Sequence, residues 1–272
     1  MRPAAARPAS RTYHHLEEVM GTVVTIDLFD ERGVSRGAVA PYVDEARRRL
    51  HDADETFSLW KPLSPMSRIR RGELAVADGP AVIAEVLDRC AIARELSGGW
   101  FDPWALGGGV DPTGFVKGWA AQRALEPLRA SGVAGGMVNA AGDIASFGGL
   151  GAAPFRVGIA DPFDPRTLAC IVELRGALAT SGTYERGEHL VDPGTGEHAA
   201  RLASASVTGP DLGLADALAT ALAVGGSDVL AIVDQIHGYE ALAIGLDNRW
   251  EWTGGFEFAE DSARGPAGAD PS

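Results

Sequence analysis

The sequence predicts an α+β fold: largely antiparallel sheets with packed helices, in a single two-lobed domain with a ligand cleft between the lobes. Strand-like and helix-like segments come in groups rather than in strict alternation, which argues against a doubly wound parallel sheet. A run of short strand-like segments punctuated by glycine occupies the middle of the chain. At 272 residues, 46% apolar and 22% charged, the chain has ample material for a core and the composition of a soluble globular protein.

Taken in order, residues 1–12 are rich in Ala, Pro and Arg and read as a flexible tail. Gly21–Phe29 alternates as a strand. Val39–Ala53 reads as a helix with Tyr42, Val43, Ala46 and Leu50 on its inner face. Ala81–Leu96 is a second helix, ended by Ser97-Gly98-Gly99, and Lys117–Ala130 a third, bent or interrupted at Pro127. Strands follow at Gly136–Asn139, Ile144–Phe147, Phe155–Ala160, Leu168–Leu174 and Ala203–Val207. After the apolar helix from Leu212, Ser227–Ile236 is a further helix, and Glu240–Leu246 with Trp250–Phe258 closes the fold as a hairpin-like pair. The folded domain spans residues 13–260, and 261–272 reads as a second tail.

A net charge of −13 leaves no basic stripe for a nucleic acid, so an anionic ligand must be held locally, by a cation, backbone amides or a few placed Lys and Arg. Cys90 and Cys170 make neither a disulfide framework nor a thiolate metal site and read as buried small hydrophobes. No apolar run approaches the roughly 18 residues of a membrane span. The arginines near the N-terminus precede no apolar segment, which gives the expectation of a cytoplasmic protein.

The most informative segment is Leu212–Gly226, whose only polar side chains are Asp216 and Thr220. Leu214, Leu218 and Leu222 repeat at helical spacing; Asp216 and Thr220, one turn apart, share the roughly opposite face. A carboxylate on a helix apolar all round needs compensation, and a carboxylate with a hydroxyl one turn on offers two oxygens to a hard cation such as Mg2+. Equally, Asp216 in a first turn would be favoured by the helix dipole and Thr220 would bond back to the backbone. Both readings stand on this segment alone.

Four other segments carry chemical side chains. In Asp111–Trp119, Lys117 reads as opening a helix, where it opposes the dipole; it serves either as a grip on phosphate or as a solvated surface residue. The Thr180–Tyr184 run precedes His189 and the turn-rich Asp192–Gly196, with no spacing that recommends a hydrolase triad. Aromatic clusters at Phe57–Trp60 and Trp100–Trp104 suit packing, or the sandwiching of a planar heterocycle.

Together these segments resemble the ApbE family of FAD:protein FMN transferases. The resemblance runs, in order, through Met20-Gly21-Thr22, Ser58–Ser64, Phe101-Asp102-Pro103, the DxxGxxKG pattern of Asp111–Gly118, and Val138–Ile144. It continues through Val157–Pro162, Thr180–Tyr184, His189–Gly196 and Ala215–Thr220. It implies an enzyme that cleaves FAD with Mg2+ help and attaches FMN through its phosphate to a Thr or Ser of an acceptor protein, releasing AMP. It further implies that Gly114 (through its carbonyl), Asp216 and Thr220 hold the metal. Met20, Trp60, Trp100, Phe101, Asp102, Asp111, Lys117 and Leu190 then fall at contacts to the flavin nucleotide, and His189 is the proton acceptor. Trp60 stands where the family usually has tyrosine, Pro65 and Arg70 replace a glutamate and an asparagine, and Ala141 replaces a glycine. The competing readings are a non-catalytic FAD carrier and an FAD pyrophosphatase that yields free FMN and AMP.

Overall fold

Apolar residues alternate between the two faces of one long antiparallel sheet, and each face carries its own core. The computed structural model describes residues 11–105, 107–164, 166–183 and 190–262. The first half contains β1 (Thr12–Val19), β2 (Thr22–Phe29), α1 (Arg36–Phe57), α2 (Pro65–Arg70), α3 (Ala81–Leu96) and α4 (Thr113–Arg129). Five strands follow: β3 (Gly135–Ala140), β4 (Asp143–Gly148), β5 (Phe155–Ala160), β6 (Leu168–Leu174) and β7 (Ala177–Gly182). The chain continues with β8 (Leu202–Gly209), α5 (Leu212–Gly225), α6 (Ser227–Val233), β9 (Glu240–Gly245) and β10 (Trp250–Trp252). Eight strands join in the order β1-β2-β3-β4-β7-β8-β9-β10, while β5 and β6 form a separate ribbon. Every pairing is antiparallel, as the grouped pattern predicts.

On one face, Val24, Ile26, Leu28, Val138, Ala179, Val207 and Ala243 pack under helices α1, α4 and α5. On the other, Ile144, Leu178, Leu242, Ile244 and Trp252 pack against Phe155, Ile159, Cys170 and Leu174 of the small ribbon. The two halves expected from the sequence thus take the form of two cores on opposite sides of a shared sheet. Cys90 belongs to the helical core and Cys170 to the other; burial pushes each thiol up to about 12.

Helix α1 buries Val39, Val43, Ala46, Leu50, Ala53 and Phe57, a stripe at the expected spacing; Tyr42 is only half-buried at its border. Helix α4 begins at Thr113, a turn before the predicted start at Lys117. The reason is local: Asp111 Oδ1 accepts bonds from the Thr113 N–H (3.0 Å) and hydroxyl (2.6 Å), organising the first turn. Pro127 does not interrupt the helix. Its missing N–H would leave the Arg123 carbonyl without its helical donor, and Arg49 Nη1 of α1 supplies a bond to that carbonyl at 2.9 Å.

Strands β1 and β7 were not expected. Residues 11 and 12 fall within the predicted tail, yet β1 starts at Thr12 and pairs along its whole length with β2; residues 1–10 lie outside the described part. At the other end, Asp261 pairs with Arg156, and Ser262 Oγ accepts the Ile171 N–H at 2.6 Å, so both are attached to the fold. Among the described residues no helix is long and apolar enough to cross a membrane.

Helices α4 and α5 meet backbone to backbone. A Cβ added at Gly118 would lie 2.5 Å from the Leu212 carbonyl oxygen, and one at Gly213 would lie 2.9 Å from the Phe115 ring. Gly118→Ala therefore forces the helices apart. The expected cost is about 1–3 kcal/mol of stability, measured by denaturant unfolding.

Edge strand β1 is tied to α1 through Glu17. The ring nitrogens of His15 and His51 each lie 2.8 Å from its carboxylate, which also accepts from Arg47 Nε. The Arg47 guanidinium, with help from the histidines and against the effect of burial, lowers Glu17 from 4.5 to about 2. A lowered carboxylate stabilises the fold fully above its unfolded pKa and loses that contribution as the pH falls through the folded value. Glu17 therefore supports the fold above about pH 4.5 and ceases to between there and about pH 2. In Glu17→Gln, unfolding followed against pH should be destabilised at neutrality and flatter across that interval than wild type.

Candidate flavin-nucleotide site

Asp216 does not sit in the first turn of α5. Asp211 caps that helix, its Oδ1 accepting the Leu214 N–H at 2.9 Å while Oδ2 pairs with Arg89 at 2.6 Å. Asp216 lies a turn further in, 3% exposed, so the dipole of the first turn does not account for it. Its Oδ2 accepts the Gly118 N–H of α4 at 3.0 Å. In an α-helix the N–H of residue 118 points to the carbonyl of Gly114. Asp216 thus lies against the first turns of α4 at Gly118, one helical turn after Gly114.

Thr220 joins it from the next turn of α5. A Cβ added at Gly114 would lie 3.4 Å from Thr220 Oγ1 and 3.3 Å from the Phe101 ring, so the first turn of α4 rests directly on both side chains. The Thr220 hydroxyl lies 3.4 Å from Ser181 Oγ of β7 and, among the described residues, makes no bond back to its own helix. One carboxylate, two hydroxyls and one backbone carbonyl make a set of hard oxygen donors, which suits Mg2+ and does not suit a soft transition metal. Among the described residues no group of three His, Cys, Asp or Glu is placed to hold a metal, so a cation here rests on this mixed set.

Lys117, one residue before Gly118, extends from α4 to the start of β4, where Nζ lies 2.7 Å from Asp143 Oδ2. Asp143 is fully buried, and its Oδ1 accepts the Thr180 N–H at 3.2 Å. Burial pushes the Asp143 carboxyl up, and Lys117 and the Thr180 amide draw it back. Lys117 is thus not the solvated surface lysine of the alternative reading. Asp143 was not singled out from the sequence as a site residue, because its partner Lys117 lies on a helix distant in sequence.

The aromatic and acidic candidates divide. Phe101 is buried against Gly114, its N–H donated to Ser97 Oγ at 3.1 Å. Trp100 is half-buried near the C-terminus of α5, where a Cβ on Gly225 would meet its ring at 2.9 Å and the Arg201 guanidinium stacks 4.9 Å from its centroid. Asp102 is held by Arg94 at 2.8 Å and accepts the Trp104 N–H. Asp111 is held by Arg70 at 2.9 Å, and Arg70 also donates to the carbonyls of Gly107 and Gly108. Arg70, read from the sequence only as a departure from the family pattern, thus ties the loop before α4 to α2.

Met20 occupies the β1–β2 turn at φ 54, half-buried on the helical core, and Leu190 is buried in that core. Trp60 stands apart at 90% exposure, without a ring partner among the described residues. His189 lies outside the described residues. Ala141 takes φ 53 in the β3–β4 turn, the left-handed region that the substituted glycine would adopt freely.

Known proteins resemble this chain in sequence and in fold. A profile described as the ApbE family matches residues 20–107 and 105–243. A curated FAD:protein FMN transferase of Rhodobacter capsulatus is 35% identical over 107 residues, a match covering 36% of this chain and 20% of that protein. The matched part thus spans about a fifth of that relative's length. Among solved structures, the flavin transferase ApbE from Vibrio cholerae superposes with a TM-score of 0.75 at 21% identity, covering 89% of this chain and 96% of that one. The ApbE protein of Thermotoga maritima gives 0.73 at 22% identity, with 88% and 96% covered. The apo flavinyl transferase ApbE of Pseudomonas stutzeri gives 0.71 at 22%, with 86% and 90% covered. At such identities the structures speak to the fold, while the profile spans most of the sequence. This chain belongs to the ApbE family.

Proposed function

We propose that this protein is a Mg2+-dependent FAD:protein FMN transferase. In this reading FAD is the substrate, FMN is joined through its phosphate to a Thr or Ser hydroxyl of an acceptor protein, and AMP is released. The observation that supports it is that Asp216 and Thr220 of α5 both lie against the first turns of α4, at Gly118 and Gly114, beside Lys117. On a chain carrying −13, such a site reconciles two needs, since a buried carboxylate requires a cation and so does a pyrophosphate.

Asp216, Thr220 and the Gly114 carbonyl would hold Mg2+. When bound, the ion supplies charge neutralisation for the pyrophosphate and for departing AMP. Lys117, oriented by Asp143, adds a second positive charge directed at a phosphate oxygen. Phe101 closes the floor under Gly114 and excludes water. Trp100, Asp102, Asp111, Met20 and Leu190 line the nucleotide's path in this reading, and Trp60 folds onto the planar part of the ligand from solvent. The acceptor oxygen attacks the phosphorus on the FMN side, the bond from that phosphorus to AMP breaks, and His189 takes the hydroxyl proton.

Asp216→Asn preserves shape and removes the charge. Its melting temperature should equal or exceed wild type, because a buried carboxylate is gone. FMN transfer, read as flavin fluorescence on the denatured acceptor, should fall by roughly 100-fold or more, as should wild-type transfer in EDTA. Transfer at the wild-type rate in either case would sink the metal assignment. AMP appearing at full rate without acceptor would point to a pyrophosphatase, and FAD binding without AMP or labelled acceptor to a carrier.

The proton acceptor has its own signature. With His189 as base, transfer should decline as the pH falls through roughly 6 to 7. His189→Ala should bind FAD by calorimetry with near wild-type affinity and lose that inflection. An unchanged pH profile in the variant would remove His189 from the role.

A further inference from the structure

Among the described residues strand β5 pairs with β6 alone, and its other edge has no strand against it. Which of its backbone groups face that edge follows from the far side of β6. There Glu173 donates its N–H to the Glu257 carbonyl (3.1 Å), and the Ile171 carbonyl accepts the Ala259 N–H (2.9 Å). Glu173 and Ile171 therefore turn their backbone groups away from β5. Residues directly opposite in an antiparallel pair exchange both hydrogen bonds or neither. Their partners in β5 are Arg156 and Gly158, which consequently direct both N–H and C=O outward. Both residues are exposed, so four backbone groups at strand spacing face solvent.

This edge forms one wall of a cleft of about 530 Å3. The main sheet also lines it, with Met137, Ile144 and Leu178 as its apolar part and Asn139 and Thr180 as its polar part. Strands β4 and β7 pair only at Ile144–Leu178 and Ala145–Ala177 and then separate. Thr180 bridges that gap through its N–H to Asp143, the partner of Lys117, and the next residue, Ser181, touches Thr220. The polar end of the cleft is thus one residue from the oxygen cluster on the helical face. Gly158 keeps the wall low, since a Cβ there would lie 2.7 Å from Leu168. On a chain of net charge −13, the lining contains no carboxylate and one cation, Arg156, whose guanidinium also pairs with exposed Asp261.

We propose that the open edge of β5 binds an extended segment of the acceptor protein as an added strand, with an acidic side chain of that segment opposite Arg156. Main-chain bonds to Arg156 and Gly158 supply affinity, and the cleft leads the segment's hydroxyl residue toward the sheet end at Ser181. The proposal rests on the FMN-transferase reading and names how its protein substrate is recognised.

The test uses the full chain with FAD, Mg2+ and an apo flavin-carrier domain whose target hydroxyl residue is changed to Ala, so that the complex does not turn over. Amide exchange resolved by residue should slow roughly tenfold or more at Arg156 and Gly158 on adding the domain, while Val157 and Ile159, already bonded to β6, change little. With the unmodified domain, Arg156→Pro removes one outward N–H and should raise KM for the acceptor roughly tenfold without changing FAD affinity. Arg156→Ala, which keeps the backbone N–H and removes the charged side chain, should raise it roughly threefold. Unslowed exchange at both amides in the complex, or a wild-type KM in folded Arg156→Pro, overturns the proposal. So does protection that appears with rising concentration of this protein alone, which would mark the edge as a self-association surface. If Arg156→Pro does not fold, the exchange result on wild type decides. Slowed exchange without FMN transfer to the unmodified domain would defeat the transferase reading and leave the strand addition standing.

Discussion

Helices α4 and α5 touch through glycine, and the contact is fastened by one hydrogen bond, from the Gly118 N–H to the Asp216 carboxylate. Several features depend on that contact. It brings the first turn of α4 onto Thr220 and Phe101, and it directs Lys117 across the end of the sheet to Asp143. The alanines of α5 and of strands β7, β8 and β9 serve the same end, because small side chains let the helix settle low on the sheet. The price is a carboxylate in an apolar helix, a group that needs compensation.

Long, strongly patterned elements were legible in the amino-acid pattern. Helix α3 and strands β5 and β6 have the boundaries that periodicity and glycine punctuation predict. Strand β1 was not legible because His14, His15, Glu17 and Glu18 break any apolar alternation; its partner β2 makes it a strand. Strand β7 was hidden for the opposite reason. Ala177–Gly182 is buried on both faces, so no alternation exists to read.

The site was legible to differing depths. Asp216 and Thr220 announced themselves as polar groups on an apolar helix, and in the structure Asp216 meets Gly118 and Thr220 meets Gly114. Asp143 and Arg70 act through tertiary reach. One meets a lysine from a distant helix, and the other gathers two loop carbonyls and Asp111. Neither leaves a mark in local spacing. Trp60 shows the converse, an expected ligand contact whose ring stands in solvent because its neighbours in sequence, not its partners in space, suggested the cluster.

The two cysteines sit in different cores, one on each side of the sheet, with their thiols pushed up to about 12. The thiolate is the form that attacks peroxide or a disulfide, so burial that disfavours ionisation leaves both sulfurs unreactive. No bond between these cysteines can form without taking the sheet apart, and none is needed to hold it together. The same fold is therefore available in a reducing compartment and in an oxidising one.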